Sequence, residues 1–305
     1  MISFVSSIKS TGVTGNMAAM GIAAVLDAPK KIILFENHVS CNNLGKYLFP
    51  AEYGTFCCGE EAFLSAYNQN INARKNLKNI QYTGSIEKIK RRKYDREIIH
   101  NDMFLIELLE DSLYYCKDAH DSEALCDLDY GFRAASTDLI RSARENFENE
   151  GNARIYVDTR LKGSISAKYV IDGSSLVVVN LPQEEFAVEE YLVNYASILD
   201  KTVFMFSDYY RNGALSADRI ISNYGLNVNR VMIMPHCDEY AYAVKNGHLI
   251  EYISGQYNCR PTSESYYFIS ELKKNVRMLD ELLGMKYCGH CSYSHLIQER
   301  GAMYK

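Results

Sequence analysis

Small and polar residues from Ser10 to Met17 form the segment of this 305-residue chain with the clearest capacity for chemistry. The segment follows a short apolar run at residues 2–6 and precedes an alanine- and methionine-rich helix predicted over residues 16–26. A bend between a parallel strand and a helix presents unpaired N–H groups at the positive end of the helix dipole, and glycine lets an anion approach the backbone. The segment is therefore a candidate anion site, and its spacing resembles the phosphate-binding pattern G-x-x-x-x-G-K-[ST].

The match to that pattern is partial. With Gly15 as the second glycine, Ser10 takes the first glycine position, while Asn16 and Met17 take the lysine and hydroxyl positions. In such a loop the lysine neutralises the β- and γ-phosphates and the hydroxyl ligates Mg²⁺, chemistry that Asn and Met do not supply. The pattern alone leaves two interpretations open, a phosphate site or an ordinary tight turn.

The remaining sequence predicts the elements that hold this loop. Apolar, β-branched segments alternate with helical patterns, which favours an α/β fold: a doubly wound, mostly parallel sheet with helices on both faces. The predicted strands cover residues 2–6, 31–35, 154–157, 175–180, 202–206 and 230–234. The predicted helices after the first cover residues 136–148, 186–198, 215–223, 239–245 and 265–283. We expect one domain over residues 1–287, with an insertion at about 57–130, and a C-terminal tail at 288–305.

Composition excludes several classes of protein. With 47% hydrophobic and 23% charged residues, the chain is predicted to be globular rather than disordered. Its formal net charge of −5 excludes a basic nucleic-acid footprint over the whole molecule. The sequence shows no signal-peptide pattern, no long apolar window and nine scattered cysteines, so we expect a reduced, cytoplasmic protein.

Six segments in the same order resemble those of the ParA/MinD family of deviant-Walker ATPases. They are ISFVSSIKSTGVTGNMAAMGIAAVL, KIILFENHVSCNNLGKYLF, RIYVDTRLKGSIS, GSSLVVVNLPQEEFAVEEY, VFMFSDYY and VMIMPHCDEYAYAVKNGHLIEYI. The degenerate loop is most similar to the TadZ/CpaE type, the localisation factors of Tad pili. The resemblance implies an ATP-binding positioning or assembly factor that forms a homodimer. Its partners would be pilus, secretion-system or partitioning proteins, which would recruit it to the membrane or the cell pole.

The resemblance also implies a set of site residues. Asp158 corresponds to the Walker B carboxylate, and Glu36 and His38 fall on the D-x-D carboxylates. The signature lysine falls on Thr11, with Lys9 two residues upstream. The implied ATP-binding residues are Ser10, Thr11, Gly12, Val13, Thr14, Gly15, Asn16 and Met17, with Asp208 and Pro235 on the base side. The family's base-side asparagine falls on Ser207 or Asp208. Because the family's cations and carboxylates are largely replaced, the resemblance argues against hydrolysis and against a strong Mg²⁺ site, and it leaves ATP binding in place.

Other interpretations stay open. A slow partitioning ATPase would use Lys9 in place of the signature lysine and Asp158 beside Mg²⁺, whereas a pure interaction module would bind no nucleotide. Cys288 and Cys291 have the spacing of half a zinc site, for which a tail with free thiols is favoured over a metal-bridged dimer. Nine basic residues within 74–96 have the charge to contact DNA or an anionic membrane, although a solvated face is favoured.

Overall fold

The computed structural model describes residues 1–8, 11–28, 31–37, 43–48, 86–88, 103–106, 141, 153–159, 161, 165–213 and 215–284. The strands in these ranges are β1 (Ile2–Val5), β2 (Lys31–Glu36), β3 (Ile86–Lys88), β4 (Met103–Ile106), β5 (Ala153–Asp158), β6 (Leu176–Leu181), β7 (Thr202–Tyr209) and β8 (Val231–Pro235). The helices are α1 (Val13–Asp27), α2 (Asn43–Leu48), α3 (Ile165–Gly173), α4 (Glu185–Asn194), α5 (Ala217–Tyr224), α6 (Asp238–Lys245), α7 (Leu249–Gln256) and α8 (Tyr266–Leu282).

The strands form one sheet in the order β3-β4-β2-β5-β1-β6-β7-β8. Each neighbouring pair is parallel except β3 and β4 at the edge. β1 lies between β5 and β6, where Ser3 is in register with Val157 on one side and Val177 on the other. The doubly wound, mostly parallel sheet predicted from the sequence is confirmed, and the loop after β1 lies at its carboxyl edge, where open α/β sheets bind ligands.

Helices cover both faces of the sheet, so a strand such as β1 is apolar on both sides. Ile2 and Phe4 enter the core beneath α1, α7 and α8, whereas Val5 enters the core beneath α4 and α5. Helix α1 is buried from Thr14 to Val25, which explains its alanine- and methionine-rich sequence. A Cβ atom at Gly21 would lie 2.7 Å from Cδ2 of Leu34, so this glycine lets α1 approach β2 closely.

The six predicted strands are confirmed to within a residue or two, apart from β7, which continues to Tyr209. The predicted start of α1 at Asn16 is wrong, because the helix begins at Val13. The predicted helix over 186–198 is also wrong at its end: α4 stops at Asn194, and residues 196–201 form a 3-10 helix. Helices α2, α3 and α7 were not predicted from the sequence.

Part of the predicted insertion belongs to the sheet. Residues 86–88, which lie within the predicted insertion and within the basic stretch 74–96, form β3. Residues 103–106 form β4, which pairs with β2 and extends the sheet on that side. The helix predicted over 136–148 and the tail over 288–305 lie outside the described residues apart from position 141, and the insertion limits stay a prediction.

Candidate functional site

The candidate site lies at the carboxyl edge of the sheet, where the chain passes from β1 to α1. Gly12 is the N-cap of α1 and has a φ of 70°, a left-handed conformation that favours glycine. The first bond of the helix runs from the Asn16 N–H to the Gly12 carbonyl oxygen, at 2.9 Å, and no described side chain caps the helix. The N–H groups of the first turn therefore have no acceptor within the helix and stand at the positive end of its dipole.

Thr14 and Asp158 join the first turn of α1 to the end of β5. The Thr14 hydroxyl donates a hydrogen bond to Oδ2 of Asp158, whose side chain is buried. Asp158 is in register with Phe4 of β1 and with Glu36 of β2, so it stands at the centre of the carboxyl edge. A carboxylate and a hydroxyl are hard oxygen donors, the kind of ligand that Mg²⁺ prefers.

The helix start changes how the phosphate-binding pattern fits the chain. In G-x-x-x-x-G-K-[ST] the second glycine opens the helix and the hydroxyl follows two residues later. Gly12 and Thr14 have these places in the structure, and Val13 then stands at the lysine position. The alignment that began from Gly15 does not fit this helix start, because Asn16 and Met17 lie inside α1, with Met17 wholly buried in the apolar core.

Asn16 is the centre of a buried polar network that ties together four elements. Its Nδ2 group donates to Oδ1 of Asn180 on β6 and to Oγ of Ser207 on β7, both at 2.9 Å. Its Oδ1 atom accepts from the Tyr240 hydroxyl on α6 at 3.0 Å. Ser207 also donates to Asn180 at 3.2 Å, so every group at the centre of the network has a partner. Asn180 was visible in the sequence as a polar residue in an apolar run, but nothing distinguished Tyr240 among 24 tyrosines.

Gly15 serves packing between α1 and α6. A Cβ atom at this position would lie 3.1 Å from the Tyr240 hydroxyl oxygen and 3.5 Å from Cγ2 of Val244. The missing side chain therefore provides the space in which the Tyr240 hydroxyl reaches Asn16.

Glu36, which the resemblance aligned with the first D-x-D carboxylate, caps helix α2. Its two carboxylate oxygens accept from the backbone N–H groups of Asn43 at 3.2 Å and Leu44 at 2.8 Å. The side chain is buried, and these two bonds compensate for the loss of water around the carboxylate.

Asn37 follows β2 and lies beside the end of β5. Its backbone N–H donates to the Asp158 carbonyl oxygen at 2.8 Å, and its Nδ2 donates to Oγ1 of Thr159 at 2.9 Å. Its own Oδ1 is buried and has no hydrogen-bond partner among the described residues. Asn37 was not predicted as a site residue, although its place directly after an apolar strand at the carboxyl edge was a usable signal.

A second polar cluster lies at the exits of β7 and β8. Asp208 has a φ of 52°, and its carboxylate lies 2.6 Å from Nδ1 of His236, whose ring stacks on that of Tyr210 at 4.5 Å between centroids. Nε2 of His236 lies 3.3 Å from Asp238. The hydrogen bond to Asp208 raises the pKa of His236, against a smaller opposing effect of desolvation. Pro235, the other predicted base-side residue, is buried at the end of β8.

Several predicted site residues lie outside the described residues. These are Lys9, Ser10, His38, Cys288, Cys291 and nearly all of the basic stretch 74–96. Within the described ranges, no three His, Cys, Asp or Glu side chains are arranged to hold a metal ion. None of the helices there has both the length and the apolar content to cross a bilayer.

The fold is similar to those of solved ParA and MinD ATPases. MinD of Pyrococcus horikoshii in complex with Mg-ADP aligns with a TM-score of 0.60 at 12% identity, over 94% of this chain and 98% of its own. MinD of Pyrococcus furiosus aligns with a TM-score of 0.58 at 13% identity, over 92% of this chain and 98% of its own. A ParA family ATPase of Chlorobium tepidum aligns with a TM-score of 0.56 at 11% identity, over 90% of this chain and 98% of its own. No protein-family model and no curated protein matches the chain. At these identities the likeness is one of fold.

Proposed function

We propose that this chain binds ATP together with Mg²⁺ at the loop between β1 and α1 and acts as a positioning or assembly factor of the ParA/MinD kind. The observation that carries the proposal is the hydrogen bond between Thr14 and Asp158 beside the uncapped N-terminus of α1. The fold similarity supports it, since one of the similar structures is a MinD complexed with Mg-ADP.

The residues present fit both parts of such a ligand. The N–H groups of Val13, Thr14 and Gly15 suit phosphate oxygens, because they have no acceptor within α1. The Thr14 hydroxyl and the Asp158 carboxylate are suited to hold Mg²⁺, and the buried Oδ1 of Asn37 adds an oxygen on the neighbouring strand end. When bound, Mg²⁺ would supply positive charge against the phosphates.

We propose binding without efficient hydrolysis. Val13 occupies the lysine position, so none of the described residues at the start of α1 supplies a cationic side chain against a transferring phosphate. Both carboxylate oxygens of Glu36 accept hydrogen bonds from the backbone of α2, so this carboxylate is not dedicated to the nucleotide site. ATP then acts as a structural ligand that favours a homodimer, in a cytoplasmic protein of the Tad-pilus localisation type recruited to the membrane or the cell pole by partner proteins.

Calorimetric titration with ATP, in Mg²⁺ and in EDTA, tests this proposal. We expect the wild-type chain to bind ATP more tightly in Mg²⁺. Thr14→Val should lower the affinity for ATP about tenfold and remove most of its dependence on Mg²⁺, because a methyl group replaces the hydroxyl oxygen proposed to hold Mg²⁺. Thr202→Val is the matched control, since it removes a buried hydroxyl bonded to Tyr191 at 2.9 Å, away from the loop. Absence of ATP binding by the wild type would leave the interaction module as the better hypothesis.

Phosphate release distinguishes binding from turnover. The proposal expects release at the background rate with ATP and Mg²⁺ present. Release above background that Lys9→Ala abolishes would contradict it and favour a slow partitioning ATPase.

A further inference from the structure

We infer that Tyr240, acting through Asn16, is a positioning residue that couples helix α6 to the first turn of α1. The inference rests on the proposed function, because the turn it positions is the proposed phosphate site. The coupling makes the affinity for nucleotide depend on the packing of α6.

The carboxamide of Asn16 is held in one orientation. Both Nδ2 hydrogens have acceptors, on Asn180 and Ser207, and the Oδ1 atom faces the Tyr240 hydroxyl. A rotated amide would turn Oδ1 toward the Oδ1 acceptor of Asn180 and Nδ2 toward the Tyr240 hydroxyl, so the bonds to Asn180 and Ser207 would lose their donor. The residue is 3% exposed, so water cannot replace a lost bond without opening the site.

Tyr240 is a fixed donor in this arrangement. Its ring stacks on Phe268 of α8 with 4.4 Å between centroids and lies 6.5 Å from the ring of Tyr252. Burial raises the pKa of Tyr240 far above its usual range, so the hydroxyl keeps its proton at any physiological pH. The aromatic contacts fix the position of the Tyr240 ring, and the ring position directs its hydroxyl toward Asn16.

The same contact reaches the anion-binding end of α1. Asn16 closes the first turn through its bond to the Gly12 carbonyl oxygen, and Gly15 leaves the space that the Tyr240 hydroxyl occupies. Displacement of α6 therefore loosens the turn whose N–H groups face the phosphates. By linkage, a ligand that orders this turn also favours the observed packing of α6.

Tyr240→Phe removes only the hydroxyl and tests the coupling. We expect a threefold to tenfold loss of ATP affinity, the range for one buried hydrogen bond, and faster hydrogen exchange in the first turn of α1. Tyr191→Phe is the matched control, because it removes another buried hydroxyl, bonded to Thr202 at 2.9 Å on the opposite face of the sheet. Tyr191→Phe should lower thermal stability to a similar degree but leave the affinity for ATP and the hydrogen exchange in α1 unchanged.

The outcomes separate this inference from the proposed function. If the wild type binds ATP and the two variants have equal affinity and equal exchange in α1, Tyr240 is only structural and the inference is wrong. If the wild type binds no ATP, the proposed function fails and the nucleotide part of the inference fails with it. In that case, hydrogen exchange in α1 that is unaffected by Tyr240→Phe would also overturn the coupling itself.

Discussion

The carboxyl edge of the sheet carries two polar clusters that differ in burial and in charge. The cluster around Asn16, with Asn180 and Ser207, is neutral and buried, and amide or hydroxyl partners satisfy its members. The cluster at the exits of β7 and β8 is ionisable and open to solvent: the Asp208 side chain is 71% exposed and the His236 side chain 34%. The first cluster lies directly beneath the start of α1, whereas the second lies on the side where the resemblance places the nucleotide base.

The two clusters contribute differently to the stability of this edge. A buried neutral network fixes geometry, since a member left without a partner costs about 1–3 kcal/mol. An exposed ion pair is screened by water and contributes about 0–1 kcal/mol, with a dependence on pH and salt. We therefore expect the network under α1 to fix the geometry of the candidate site, and the outer cluster to contribute only a weak interaction that depends on pH.

The largest expected effect comes from breaking the buried network at Asn180. Asn180→Leu keeps a similar volume but leaves the Asn16 Nδ2 group and the Ser207 hydroxyl without their shared acceptor. We expect the free energy of unfolding to fall by about 3 kcal/mol in urea titrations. Asn194→Leu, at an exposed amide bonded to the Glu190 carbonyl oxygen, should change it by no more than about 0.5 kcal/mol. Equal effects of the two variants would remove the distinction between the clusters.

Sequence reasoning predicted the strands of the sheet because burial on both faces gives continuous apolar runs. The run Leu176–Leu181 and the run Val231–Pro235 are examples, and both are fully buried. The resemblance also selected Asp158, which the structure places beside the loop.

The start of α1 was not predictable in the same way. Val13 and Thr14 are β-branched and Gly15 has the low helix propensity of glycine, so the local sequence does not favour a helix there. The helix begins at Val13 in the structure, where Thr14 is bonded to Asp158, 144 residues away. The contact between Tyr240 and Asn16 spans 224 residues, and no local pattern carries such information.

A smaller effect is expected from filling the space beneath the network. Gly15→Ala places a methyl group 3.1 Å from the Tyr240 hydroxyl oxygen, which the bond to Asn16 holds in place. Overpacking should outweigh the better helix propensity of alanine and lower the free energy of unfolding by about 1 kcal/mol.

Gly255→Ala is the control for this substitution. Gly255 is also helical, but a Cβ atom there meets nothing within 4 Å, so the same change should raise the free energy of unfolding by up to about 1 kcal/mol. If urea titration showed that both substitutions raise the free energy of unfolding, α6 would not be held tightly against α1.

The smallest effect is expected at the outer cluster and depends on pH. Because the hydrogen bond to Asp208 raises the pKa of His236 in the folded state, its stabilising contribution is complete below the unfolded pKa of about 6.5. It is lost as pH rises through the higher folded pKa. His236→Gln should therefore cost less than about 1 kcal/mol at about pH 5.5 and less still at about pH 8, and high salt should reduce the difference between the two. The Asn180→Leu loss should be nearly the same at both values, since neither Asn180 nor its partners Asn16 and Ser207 ionise in this range. A pH-independent cost of His236→Gln would show that the outer cluster is held by ring stacking with Tyr210 rather than by charge.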